Sequence, residues 1–316
     1  MEEKKTPTRG EELRKALSYD KKNGYDRLLS GEREAMEDYC AAYKEFLDAG
    51  KTERECVDRA VALAENVGFR PYVRGNGLKP GDKVYRVNRD KSLMLAVIGQ
   101  KSLAEGVRIC AAHIDSPRLD LKQNPLYETD ELAFFKTHYY GGIRKYQWVT
   151  IPLELHGVVA LKNGGVIRVS VGNGEGDPLF TIDDLLPHLG AEQSRKPLGE
   201  AIPGENLNIL VGSRPLADDE GKDRVKLSVL ELLNRKYGIV EEDFISAELC
   251  AVPAFRACDI GFDRSMIGAY GHDDRVCAYA SLAAILQLSQ PEHTAVCVLA
   301  DKEEIGSEGV TGMKSA

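Results

Sequence analysis

The sequence VCVLADKEEIGSEG, from Val296 to Gly309, changes abruptly from apolar to acidic. Its apolar part predicts a buried strand, because short continuous apolar runs are typical of strands covered on both faces. Two adjacent glutamates, Glu303 and Glu304, follow before the chain turns through glycines. Neighbouring side chains of an extended strand point to opposite sides, so two glutamates at a strand end can serve different tasks. One could bind a metal while the other handles a proton, although a solvated acidic loop explains the pattern equally well.

The segment CAAHIDSPRLD also places polar side chains directly after an apolar run. His113 ends the predicted strand, and Asp115 shares its face if the backbone stays extended. Asp115 could then accept a hydrogen bond from the imidazole and fix the tautomer of a metal-ligating histidine. The structural alternative is a strand-end histidine beside a turn formed by Asp-Ser-Pro.

The segment GAYGHDDRVCAYASL places His272, Asp273 and Asp274 before an apolar helix. A single aspartate at a helix start is usually an N-cap, whereas two in tandem allow one to cap and the other to face a site. Histidine and carboxylate donors without cysteine suit zinc or another divalent metal. A carboxylate beside a metal-bound water suits general-base hydrolysis.

The pattern around these segments predicts an α/β fold with an insertion. We expect buried strands at 93–99, 107–113 and 294–300 and helices at 51–68 and 275–289, the latter buried because it is apolar on most faces. From about Leu121 to Pro253 the chain is mostly β and loop, with a predicted hairpin at 150–172 and a helix at 224–238. The sequence therefore predicts an α/β domain over 1–120 and 254–316, interrupted by a β-rich insertion over 121–253.

Composition excludes several classes of function. The formal net charge of -8 argues against non-specific nucleic-acid binding, which needs a basic surface. The sequence contains neither an apolar run of the ~20 residues that a membrane span requires nor a cleavable leader. The seven cysteines are scattered without a CxxC pair, which predicts buried thiols in a reducing cytoplasm and no cysteine-based zinc site.

Three motifs, HIDSPRLDLK, HDDR and DKEEIGS, in this order around a β-rich insertion, resemble those of the M18 metallopeptidases, the aspartyl aminopeptidase family. The similarity is greatest to the bacterial branch and extends to HYYGGI and DLLPHLG within the insertion. It implies a zinc-peptidase sheet flanked by helices and interrupted by a β-rich dimerisation domain. It also implies an aminopeptidase that releases the N-terminal residue of peptides through two zinc ions, although cobalt or manganese would suit the same ligands.

The resemblance implies a role for each candidate residue. His113 would ligate one metal with Asp115 orienting it, and Asp273 would bridge the two metals. Glu304 would ligate the other metal, and Glu303 would be the general base.

The resemblance also implies an assembly, a dimer that builds up to a dodecamer. His188 of DLLPHLG matches a histidine that reaches a neighbour's active site, with a surface-loop histidine as the alternative. Lys302, Ile114 and Asp274 stand where the family commonly has His, Thr and Asn.

Two other functions stay open at this point. The family carries a further acidic ligand and a final histidine ligand downstream of the double glutamate, and this sequence stops at Ala316, inside a new element. We therefore expect a chain cut short at its C-terminus, which could be a catalytically inactive fragment or an assembly subunit. Another dizinc hydrolase is the third possibility, although such enzymes lack this insertion. The preferred N-terminal residue of the substrate is left open.

Overall fold

Residues 7–218 and 220–315 are described by a computed structural model, and this part of the chain contains six α-helices and thirteen β-strands. The helices α1 to α6 are Arg9–Leu17, Glu32–Ala49, Glu53–Asn66, Leu198–Ala201, Arg224–Tyr237 and His272–Leu286. The strands β1 to β7 are Arg70–Pro71, Lys83–Asn88, Ser92–Val97, Val107–His113, Arg118–Thr129, Leu132–Tyr140 and Leu153–Ala160. The strands β8 to β13 are Val166–Val171, Ile209–Gly212, Ala247–Pro253, Cys258–Ile260, Met266–Gly268 and Thr294–Ala300.

The chain divides into two units, Met1–Tyr43 and Lys44–Ala316. In the first unit, α1 begins at a capping box. The Glu11 N–H donates to the Thr8 hydroxyl, and the Thr8 N–H donates to the Glu11 carboxylate. This reciprocal pair satisfies two backbone donors that a helix start leaves without intrahelical partners. All of α1 is exposed.

The first sheet of the second unit has the strand order β1-β2-β3-β13-β4. Strand β13 runs antiparallel to β3 and parallel to β4, with Ala300 opposite His113. Because parallel neighbours end at the same edge of a sheet, the segments that follow β4 and β13 lie next to each other. The predicted α/β fold class is confirmed, and this edge is where open α/β sheets place their sites.

Two burial expectations for this sheet are wrong. Residues 107–111 of β4 are exposed, Ile109 by 61%, because β4 is the end strand of the sheet that the described residues form and has a neighbour on one side only. Helix α6, which was expected to be buried on most sides, buries Ala278, Leu282 and Ile285 on one face and exposes apolar residues such as Val276 on another. A continuous apolar pattern does not distinguish a central strand from an edge strand, or a fully buried helix from a half-buried one.

The second sheet consists of antiparallel strands in the order β8-β7-β10-β5-β6-β9. The predicted hairpin is confirmed as β7 and β8, which pair from Leu155 opposite Val171 to Ala160 opposite Val166. The core of this sheet includes Leu119, Phe135 and Leu155 and is closed by α5. Both sheets lie within the unit Lys44–Ala316, so the domain boundaries at 120 and 254 stay a prediction.

The cysteines differ from the expectation of uniformly buried thiols. All seven are free, but burial is limited to Cys56, Cys250 and Cys297, while Cys40 is half-buried and Cys110, Cys258 and Cys277 are exposed. Within residues 7–218 and 220–315, no helix is both long enough and apolar enough to cross a membrane.

Candidate active site

His113 lies at the end of β4, and its two ring nitrogens face different partners. Its Nδ1 is 3.0 Å from the Asp115 carbonyl oxygen and 3.3 Å from Asp115 Oδ1. Its Nε2 lies 3.5 Å from Asp273 Oδ1 and 3.6 Å from Glu303 Oε2. Burial by itself lowers the pKa of His113, but the hydrogen bonds and charge of Asp115 outweigh it and raise the pKa to about 9.

Asp115 is completely buried and lies at the centre of this arrangement. Its Oδ1 accepts the Glu303 N–H at 3.2 Å, and its Oδ2 accepts the Glu304 N–H at 3.2 Å and the Tyr140 hydroxyl at 2.7 Å. Burial alone would raise the pKa of Asp115, but the hydrogen bonds from His113 and Tyr140 outweigh it and lower that pKa. The buried carboxylate therefore stays ionised, and it holds both the imidazole and the backbone of the double glutamate.

The double glutamate forms a short 3₁₀ turn, Glu303–Ile305, directly after β13. The turn begins after Lys302, whose φ of 67° is left-handed, and Asp301 is buried behind it with its Oδ1 accepting the Lys302 N–H. The Glu303 side chain is 54% exposed and faces His113. Burial raises the pKa of Glu304, and the neighbouring carboxylates raise it further, although His113 opposes them.

The tandem aspartates separate into two directions. Regular helix begins at Arg275, because Asp273 and Asp274 have non-helical backbone angles, and the peptide between them is cis. Asp273 faces His113, whereas Asp274 accepts a hydrogen bond from the Cys277 thiol and raises its pKa. Asp273 thus faces the site and Asp274 contacts a helix side chain, while the expected capping hydrogen bond is not found at this helix start among the described residues.

Arg275 fixes the backbone behind the site. Its guanidinium is 1% exposed, and it donates from Nε to the Ile114 carbonyl and from Nη2 to the Lys51 carbonyl, each at 3.1 Å. It also lies 5.3 Å from the centre of the Tyr270 ring. The arginine therefore ties the residue between His113 and Asp115 to the helix that carries Asp273.

The structure brings together the side chains of four of the six residues that were given a role, His113, Asp115, Asp273 and Glu303. Glu304 belongs to the same turn but packs beside Gly141. His188 lies on an exposed loop, and no hydrogen bond or ion pair within the described ranges joins it to this site.

Sequence reasoning assigned no role to Tyr140, Gly141 or Arg275, although all three lie within motifs that carry the family resemblance. The signal that could have found Arg275 is an arginine next to two aspartates at the start of an apolar helix. An arginine at such a position is either exposed to solvent or buried and hydrogen-bonded to buried acceptors. The apolar residues that follow it favour the buried alternative.

The side chains of the candidate site are of the types that bind zinc and are suitably oriented, but too few of them converge on one point. A histidine whose Nδ1 is held by a carboxylate and whose Nε2 faces further carboxylates is the usual arrangement of a zinc ligand. Within residues 7–218 and 220–315, however, no three His, Cys, Asp or Glu side chains converge closely enough to hold a metal ion. A zinc site needs three or four protein ligands, so His113 and Asp273 are only part of a set.

The chain matches the family model described as aminopeptidase I zinc metalloprotease (M18) over residues 46–316. A probable M18 family aminopeptidase 1 of Clostridium acetobutylicum is 50% identical over 298 residues, which cover 93% of this chain and 64% of that relative. The crystal structure of an M18 family aminopeptidase from Thermotoga maritima superposes with a TM-score of 0.88 at 45% identity, covering 94% of this chain and 64% of that one.

A more distant structure, described as the S. cerevisiae mApe1 dodecamer, shares the fold with a TM-score of 0.68 at 19% identity, covering 88% of this chain and 64% of that one. The chain spans 64% of the length of the Clostridium relative, just under two thirds. With a family match over most of its length and half of its aligned residues identical to that relative, this chain belongs to the M18 family of zinc metallopeptidases.

Proposed function

We propose that the whole protein is a metal-dependent aminopeptidase that releases the N-terminal residue of peptides. The observation that carries the proposal is the position of His113 Nε2, 3.5 Å from Asp273 Oδ1 and 3.6 Å from Glu303 Oε2, with Asp115 holding the other ring nitrogen. Family membership supplies the expectation of zinc. Because the chain covers 64% of its Clostridium relative, the activity is proposed for the whole protein.

In this proposal the protein holds two zinc ions. His113, Asp273 and Glu304 would hold the metal ions, His113 and Glu304 one each with Asp273 shared between them, and Asp115 would orient the His113 imidazole. Zinc held there would lower the pKa of a water molecule and polarise the substrate carbonyl. Cobalt or manganese would suit the same oxygen and nitrogen donors.

Glu303 is the general base. Its carboxylate is half exposed, so water and substrate can reach it, and its backbone N–H is anchored on buried Asp115. It accepts the proton of the attacking water and returns it to the leaving amine. The neighbouring Glu304 packs against Gly141, which suits a residue held in one orientation.

The test compares Glu303→Gln and Glu304→Ala in the whole protein, with Glu308→Gln as a matched control on the same exposed segment. We expect Glu303→Gln to lower the peptidase rate by about 10²-fold to 10⁴-fold, the usual contribution of a general base. Its zinc content, measured by elemental analysis, should equal that of the control. Glu304→Ala should lose zinc.

Two results would contradict this assignment. Full activity in Glu303→Gln would show that Glu303 is not the general base. Full zinc content in Glu304→Ala would mean that the roles of the two glutamates are assigned the wrong way round. If the whole protein purified in zinc without chelator contained no zinc, the assembly-subunit alternative would replace the enzyme.

We further propose that residues 121–253 are a dimerisation domain and that the protein assembles into a homo-oligomer in the cytoplasm. The second sheet, whose strands fall between Arg118 and Pro253, supports the first part. The dodecamer described for the distant S. cerevisiae neighbour supports the homo-oligomer. His188 is the candidate for a contact with a neighbour's active site, because its loop is exposed.

A further inference from the structure

The end of β6 brings one tyrosine of the second sheet to the centre of the candidate site. The Tyr140 hydroxyl donates to Asp115 Oδ2 at 2.7 Å, the shortest of the side-chain and N–H contacts to that carboxylate. Tyr140 is only 7% exposed, so water does not compete readily for the same oxygen. Burial and the charge of Asp115 both raise the pKa of Tyr140, so the phenol keeps the proton that it donates.

The Tyr140 hydroxyl is the closer of the two donors to Asp115 Oδ2. Without the hydroxyl, Oδ2 would retain only the Glu304 N–H at 3.2 Å. A hydrogen bond to an ionised group is stronger than one between neutral groups, and a buried carboxylate that loses such a bond has no solvent to replace it. Any shift of Asp115 would reach both His113 and the double-glutamate turn, because it contacts both.

Tyr140 is itself held in place. The Arg118 guanidinium lies 3.9 Å from the centre of its ring, within the range of a cation–π contact. Arg118 is in turn paired with Glu53 at 3.2 Å and with Asp120 at 2.7 Å. The ring therefore cannot turn away from Asp115 without disturbing a buried ion-pair network.

The next residue supports the other carboxylate of the site. Gly141 has a φ of +72°, and a Cβ placed there would lie 3.0 Å from Glu304 Cβ and 3.1 Å from Glu304 Oε2. The backbone thus approaches Glu304 as closely as a glycine allows. Tyr140 therefore contacts Asp115, and the adjacent Gly141 contacts Glu304.

We propose that Tyr140 is a positioning residue of the metal centre. It holds Asp115, and Asp115 in turn orients His113 Nε2 and the backbone of Glu303 and Glu304. The consequence for zinc rests on the proposed function, whereas the positioning of the double-glutamate turn does not.

The experiment uses Tyr140→Phe, which removes one oxygen atom and keeps the ring under Arg118. Tyr139→Phe is the matched control, because Tyr139 is the adjacent residue, is 45% exposed and makes no hydrogen bond through its hydroxyl within the described residues. Zinc affinity of the whole protein is measured by competition with a chromogenic chelator. Amide hydrogen exchange of a peptide that spans residues 301–308 is measured without zinc.

We expect Tyr140→Phe to weaken zinc binding about 10-fold, at the lower end of the effect of removing outer-shell partners of metal ligands. We expect the Glu303 and Glu304 amides to exchange about 10-fold faster, because their acceptor is less well held. Tyr139→Phe should change neither quantity. If Tyr140→Phe matched Tyr139→Phe in both, or lowered only the midpoint of global unfolding, the proposal would be overturned.

A failure of the proposed function would be recognised separately. His113→Ala would then bind zinc as tightly as the unmodified protein, or the unmodified protein would bind none. The exchange comparison would still decide whether Tyr140 positions Asp115, because it is made without zinc.

Discussion

The stability of this protein should depend on pH through one buried histidine away from the candidate site. His156 of β7 has no exposed surface, and its Nδ1 lies 2.7 Å from Glu55 Oε1 of α3. Its Nε2 is 3.6 Å from Glu154 Oε1, and Lys51 Nζ lies 3.4 Å from that same oxygen. If the imidazole were neutral, the carboxylates of Glu55 and Glu154 would lose one of the positive charges that lie beside them.

The magnitude follows from the pKa of His156. Burial lowers it, but the charges of Glu154 and Glu55 and the hydrogen bond to Glu55 outweigh burial and raise it from 6.5 to about 9. The folded pKa is above the unfolded one, so the stabilisation is complete below pH 6.5 and is lost as the pH rises through 9. A difference of 2.5 between 6.5 and 9 corresponds to about 3 kcal/mol, counted once, because the lowered pKa of Glu55 reports the same ion pair.

The assay is urea unfolding between pH 6 and 9.5, followed by the fluorescence of the single tryptophan, Trp148, which is buried in the core of the second sheet. The comparison is between the unmodified protein and His156→Gln. The advantage of the unmodified protein should shrink by about 3 kcal/mol over this range. Other groups that titrate, His113 among them, contribute to both proteins and cancel in the difference.

The control is His138→Gln, which changes an exposed histidine of β6. Its difference from the unmodified protein should stay flat with pH. If the His156→Gln difference were equally flat, the raised pKa would be wrong, and the cluster would be held by neutral hydrogen bonds.

Two further predictions concern burial. Arg275→Met should lower the free energy of unfolding by about 3 kcal/mol or more, since it leaves two buried carbonyl oxygens, those of Ile114 and Lys51, without their donor. Urea unfolding should show a much smaller loss for the exposed Arg256→Met, and equal losses would mean that the Arg275 contacts add no stability. In the native protein a thiol reagent should modify the three exposed cysteines, Cys110, Cys258 and Cys277, and Cys277 should react more slowly because its pKa is raised. The three buried cysteines, Cys56, Cys250 and Cys297, should react only after unfolding. Immediate reaction of all seven would refute this burial pattern.

The sequence was most informative where its signal is local. The hairpin of β7 and β8 is marked by alternating apolar residues around a glycine turn, and both strands contribute to the pairing that the pattern predicts. The exposure of β4 was not predictable, because it depends on which strand takes the edge of the sheet. Strand β13, which covers one side of β4, lies more than 180 residues later in the chain.

The candidate site likewise contains residues that local sequence patterns predict and residues that they do not. The face shared by His113 and Asp115 follows from the two-residue period of a strand, and the double glutamate follows from the end of an apolar run. Tyr140 and Arg275 reach Asp115 and Ile114 only through the folded structure, from a different sheet and from a helix. No spacing in the sequence encodes those contacts, since each joins segments whose distance depends on the packing of the whole unit.

The contacts of Tyr140 and Gly141 bear on the role of residues 121–253, which the sequence predicts to be an insertion. If residues 121–253 served assembly alone, their contacts with the site would be incidental, and a phenylalanine at position 140 would pack as well as the tyrosine. Instead the hydroxyl completes the hydrogen bonding of a fully buried carboxylate, and the following glycine lies against Glu304. A buried carboxylate that lacks one donor is costly, so this arrangement ties the geometry of the site to the second sheet. Changes that move β6 should therefore alter the site even where no candidate ligand is touched.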